Sequence, residues 1–133
     1  MLRKFYDALV RKDLKNASAL LSSQVVINVT GSSNKSVNGE YFGIKGFMKF
    51  QSNMLDSFPE QGYGDSLHYK VVSHQGNTAT GRITAKRHYK NGSVYREHVN
   101  QTFFIGQTGK IVSLNSNVTY TRLEAGNGTK KAR

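Results

Sequence analysis

The chain contains no cysteine, a single proline, only 8 acidic residues and no long apolar run. The lack of cysteine excludes disulfides, thiolate metal sites and cysteine nucleophiles. No stretch approaches the roughly 20 apolar residues that a membrane-spanning helix needs. The opening Met1-Leu2-Arg3-Lys4-Phe5-Tyr6-Asp7 is amphipathic and charged, unlike the continuous apolar core of a secretory leader. Against the few acids stand 19 Lys and Arg, for a formal net charge of +11. Such a balance draws in nucleic acid, anionic surfaces or acidic partners over long range, and it also serves plain solubility.

What is present suffices for one core. A chain of 133 residues fits one domain, and 7 Phe with 7 Tyr supply large side chains to bury. Residues 1–12 place Leu2, Phe5, Tyr6, Leu9 and Val10 at helical spacing. Asp13 then reads as the cap of a second short helix through Leu21. Val25 to Thr30 is β-branched and reads as a strand, and 31–40 reads as a polar loop with a possible irregular strand through Val37. A third helix opens at Phe42-Gly43-Ile44 and carries Phe47, Met48, Phe50, Met54, Leu55 and Phe58 on one stripe, ended by Pro59. Four strands are expected over 66–74, 78–90, 94–106 and 110–121, parted by breaks that each carry glycine. This is an α+β layout with helices on one face of a curved antiparallel sheet. The domain is expected over 1–123, with 124–133 as a basic, disordered tail.

The segments Phe5-Tyr6-Asp7-Ala8-Leu9, Asp13-Leu14, Ala19-Leu20-Leu21, Phe42-Gly43-Ile44-Lys45-Gly46 and Gly109-Lys110-Ile111-Val112 resemble the nuclear transport factor 2-like superfamily over about 1–122. That group includes SnoaL-like cyclases, ketosteroid isomerases and the association domain of calcium/calmodulin-dependent kinase. The resemblance implies a cone-shaped fold, a sheet-mediated homodimer and a modest apolar pocket. It does not carry over the catalytic residues. Where ketosteroid isomerases use a Tyr, an Asp base and a protonated Asp donor, this sequence has Phe5, Val29 and Gln101. Where SnoaL-like cyclases use an acid on the last strand, it reads Leu114-Asn115-Ser116-Asn117.

Strand alternation sorts the long hairpin into two faces. A three-residue loop at Asn91-Gly92-Ser93 puts Arg87 opposite Glu97 on a mainly apolar inner face, where each charge compensates the other. The pocket is then expected to be lined by Phe5, Tyr6, Phe50, Met54, Arg87, Tyr95, Glu97, Gln101 and Phe103. Glu97 and Tyr6 are the acid–base candidates if the chain is an enzyme, with His98 a further local one. The outer face gathers Arg82, Lys86, His88, Lys90, Arg96 and His98, a stripe able to meet phosphates without reading sequence.

No carboxylate joins the two histidines, so no metal and no cofactor are expected. Phosphate-binding glycine loops, a Gly-x-Ser-x-Gly elbow and a His-Glu-x-x-His motif are all absent. Asn-x-Ser/Thr sequons occur at Asn16, Asn28, Asn34, Asn91, Asn100, Asn117 and Asn127, three of them inside expected strands. The expectation is a binding or adaptor domain taking a small apolar ligand or a protein partner. The alternatives are a SnoaL-like isomerase, cyclase or dehydratase using Glu97, and a nucleic-acid binder using the outer face. A cytoplasmic location is expected, with nuclear or secreted placement left open.

Overall fold

A computed structural model describes residues 2–33, 35–56, 63–64, 68–88 and 92–124, with only the backbone described at 54–56, 63–64 and 124. Three helices, α1 (Leu2–Val10), α2 (Leu14–Ala19) and α3 (Gly43–Asp56), pack against one curved sheet. The strands are β1 (Leu21–Thr30), β2 (Gly39–Phe42), β3 (Tyr63–Gly64), β4 (His68–Gln75), β5 (Thr78–His88), β6 (Val94–Ile105) and β7 (Ile111–Glu124). The sheet order is β2-β1-β7-β6-β5-β3, with β4 also on β5. The antiparallel run from β4 to β7 follows the expected meander. Gly76 and Gly109 supply its turns at φ of 57° and 82°, which a side chain would resist. None of the described helices is long and apolar enough to cross a membrane.

Asp13 caps α2 as expected, its side chain accepting from the Asn16 amide at 3.2 Å. Several boundaries differ. Leu21 belongs to β1, not to α2, because Leu20 closes the helix and its carbonyl accepts from the Ile111 amide at 2.9 Å. That bond starts the parallel pairing of β1 with β7, which local patterning does not reveal. Phe42 ends a short strand instead of opening α3, since β2 pairs with β1 and sets Phe42 opposite Val26. The expected end of α3 at Phe58 and Pro59, and the basic tail beyond Glu124, lie outside the described residues.

The β5–β6 register also differs from the expected one. His88 lies opposite Val94 and Arg87 opposite Tyr95, so the connection spans 89–93. Glu97 therefore faces Ala85, and Arg87 reaches it diagonally. A shift of two residues keeps every side chain on its face, so alternation cannot distinguish the two registers; only the turn does.

The core lies between the helices and the sheet's inner face. Phe5, Tyr6 and Phe103 are 0% exposed; Phe103 of β6 meets Phe5 and Tyr6 of α1 edge-on at 5.6 and 5.7 Å, and Phe47 is tilted against Phe5 at 6.0 Å. Val25, Ile27 and Val29 of β1 and Leu114 of β7 complete it. Burying such side chains contributes roughly 1.5–3 kcal/mol each.

Candidate functional site

The inner and outer faces of the sheet carry different chemistry. On the inner face, α1 presents Tyr6 to β6, and its hydroxyl donates to Gln101 Oε1 at 2.8 Å. Gln101 in turn donates through Nε2 to Ser116 Oγ at 3.0 Å. All three residues are buried, and burial pushes the Tyr6 phenol above its ordinary pKa. The close approach of Tyr6 requires Gly81, which lies opposite Gln101, because a Cβ there would stand 2.7 Å from Tyr6 Cε2. Tyr69 stacks on Tyr6 at 5.1 Å between centroids and donates its hydroxyl to Asp7 Oδ1. That bond to Asp7 is the main reason the half-buried Tyr69 phenol titrates above its usual range.

Further along the same face, Arg87 Nη2 donates to Glu97 Oε1 at 3.0 Å. Arg87 is 2% exposed and Glu97 6%. Half-buried Tyr95 meets Tyr120 edge-on at 6.5 Å beside them. Thus Arg87, Glu97 and Gln101 lie on one face of the β5–β6 sheet. Phe5, Tyr6 and Phe103 sit in the aromatic core, while Phe50 packs on Tyr41 at 5.3 Å by β2. The Met54 side chain lies outside the described residues.

On the outer face, Arg82, Lys86 and Arg96 are exposed, and His88 and His98 are half-buried. Lys90 lies outside the described residues. Lys70 of β4, opposite Arg82, adds a fourth cation that the hairpin alone could not show. His98 Nε2 lies 3.1 Å from Thr121 Oγ1, and its Nδ1 is buried with no hydrogen-bond partner among the described residues. Burial first, then the Arg82 and Arg96 charges, hold this imidazole below its ordinary pKa. Among the described residues no three metal-ligating side chains cluster.

Beside the cations runs a groove of about 520 Å³, lined by Asn28, Thr30, Thr80, Arg82, Asn100, Thr102, Asn115 and Asn117 among others. Asn28 Nδ2 donates to Asn115 Oδ1 at 3.1 Å, and Asn117 Nδ2 to Thr30 Oγ1 at 2.9 Å. Arg82 Nε donates to Asn100 Oδ1 at 2.7 Å. The sequence held a signal for this groove in another guise. Asn28-Val-Thr30, Asn100-Gln-Thr102 and Asn117-Val-Thr119 read as sequons, but in a strand the same spacing puts Asn and Thr on one face.

No protein-family model matches the sequence, and no curated protein does. Solved structures do match. An NTF2-like protein of unknown function from Burkholderia pseudomallei is 15% identical over 99% of this chain and 92% of its own, with a TM-score of 0.64. The fold is the nuclear transport factor 2-like fold. A Mycobacterium tuberculosis protein in complex with estradiol-17β-hemisuccinate is 15% identical over 86% of this chain and 87% of its own, with a TM-score of 0.57. The Δ5-3-ketosteroid isomerase of a Mycobacterium species is 14% identical over 90% of this chain and 94% of its own, also at 0.57. At these identities the likeness concerns architecture, and function follows from the residues present.

Proposed function

We propose that the chain is a non-catalytic binding domain that takes a small, mainly apolar molecule on the inner wall beside Tyr95, Tyr120 and the Arg87–Glu97 pair. The observation that carries this reading is the use of inner polar groups on one another. The Tyr6 hydroxyl is committed to Gln101, Gln101 to Ser116, and Glu97 accepts from Arg87. Proton transfer needs a side chain within reach of the reacting atom, and Val29 stands where the resemblance calls for the base. The arrangement supports binding: aromatic and aliphatic walls with a few fixed polar groups are what small-ligand sites use. The neighbour in complex with a steroid hemisuccinate supports this reading.

The homodimer implied by the resemblance joins this proposal at the apolar end of the outer face. There Phe42 is 63% exposed and Phe104 40%. A two-fold contact over the cations would set like charges together.

The test is titration with estradiol-17β-hemisuccinate, followed by tyrosine emission and isothermal calorimetry. Saturable binding that weakens at least tenfold in an Arg87→Met/Glu97→Leu double variant of unchanged thermal stability is expected. No saturable binding, or equal binding by that variant, contradicts the proposal.

A further inference from the structure

The outer face has a charge pattern that the fold does not require. Lys70 pairs directly with Arg82, and Lys86 with Arg96, across neighbouring strands. Like charges directly opposite one another destabilise a sheet. All four side chains are exposed, and none of them forms an ion pair among the described residues. On the outer face of the described strands the single acid with a described side chain is Glu40 of β2, opposite Asn28 at the other side of the sheet. The two cation pairs stand four residues apart along β5, about 13 Å at a strand's rise per residue. One small anion cannot satisfy both, whereas a chain with repeated negative charge can.

The groove beside them narrows the class of polyanion. Nine of its twelve lining residues carry a side-chain amide or hydroxyl, several of them bonded to one another across the strands, and an amide has both donor and acceptor positions. That pairing matches the edges of nucleobases, which present donors and acceptors together. A carboxylate-rich peptide presents acceptors alone on its side chains. Arg82 belongs to both features, since it lines the groove and pairs with Lys70. An open sheet face gives unstacked bases access, as in other single-strand binders that track the backbone with cations.

We infer that the outer face of the β4–β7 sheet binds single-stranded nucleic acid, with phosphates on Lys70, Arg82, Lys86 and Arg96 and bases in the amide-lined groove. This use is independent of the inner wall and of any ligand held there.

The test is fluorescence anisotropy with a labelled mixed-sequence single-stranded oligonucleotide across a salt series, using the full chain. Four neutralised phosphates predict a slope of log affinity against log salt near −2.8, since each contributes about 0.7 for single strands. Lys86→Ala and Arg96→Ala should each lower the slope by about 0.7, while Lys15→Ala on α2 leaves it unchanged. Asn100→Leu should weaken binding several-fold at unchanged slope, provided its melting temperature is retained; Asn117→Leu serves if it is not. Absence of salt-dependent binding would overturn the inference. So would an equal response to Lys15→Ala, or polyglutamate competing as well as unlabelled oligonucleotide, which would assign the face to acidic proteins.

Discussion

The two faces of one sheet handle polar groups in opposite ways. On the inner face each polar side chain discussed meets another: Tyr6 with Gln101, Gln101 with Ser116, Arg87 with Glu97. On the outer face two pairs of cations stand opposite one another with no acid between them. The difference follows from solvent. A buried charge or hydroxyl without a partner costs several kcal/mol, so the inner face must be internally matched to fold at all. An exposed cation is hydrated and screened, so its placement is open to selection for a partner. Polar residues on the inner face thus answer first to folding, while the exposed cations of the outer face are left available to a partner.

The largest expected effect breaks the inner matching. Removing either half of the buried pair, by Arg87→Met or Glu97→Leu, should lower stability by about 3–5 kcal/mol in urea unfolding. The double variant should recover most of that loss, because a well-packed apolar pair replaces the ions. Single variants that unfold like the parent would show that the pair is not buried in solution.

A smaller effect comes from the space beside Tyr6. Gly81→Ala places a methyl group 2.7 Å from Tyr6 Cε2, and should cost about 1–3 kcal/mol through overpacking. An unchanged denaturation midpoint would mean that α1 does not seat Tyr6 against β5.

On the outer face the sign should reverse. Lys86→Glu turns a like-charged cross-strand pair into an opposite one, and should raise stability by about 0.2–1 kcal/mol at low salt. The same substitution should abolish most oligonucleotide affinity. A residue whose replacement stabilises the fold while removing binding marks that face as functional; a loss of stability would instead make it structural.

The smallest effect is pH dependence at His98. Its pKa is lower in the folded protein than the ordinary 6.5, so the unfolded chain binds its proton more readily. Stability from this residue is present above pH 6.5 and is lost as pH falls from there through the depressed value. His98→Gln should flatten that part of the stability–pH curve measured in urea, and an unaltered curve would place the titration elsewhere.

Much of this division was legible in the sequence. The period-two pattern of β5 and β6 places Arg87, Glu97 and Gln101 inward and Arg82, Lys86 and Arg96 outward, since a two-residue slip preserves faces. The register itself was not legible, because it depends on a five-residue connection. Nor could Lys70, Ser116 or Asn28 be assigned to their sites. Lys70 depends on the β4–β5 register, which shifts between Val71 and Ser73, Ser116 on the β6–β7 register, and Asn28 on the parallel β1–β7 pairing of segments far apart in sequence. Phe5 and Tyr6 were visible as apolar helix positions, but their roles separate only when Gly81 opens room for one phenol against Gln101.

Asn100 and Gln101 are neighbours in the chain whose amides point to opposite faces, Asn100 beside Arg82 and Gln101 beneath Tyr6. Titrating the ¹⁵N-labelled protein with a single-stranded oligonucleotide and following their side-chain amide resonances tests the division most directly. The Asn100 signal should move progressively while the Gln101 signal stays in place. Movement of both together, or of Gln101 alone, would contradict the separation of a matched inner face from a binding outer face.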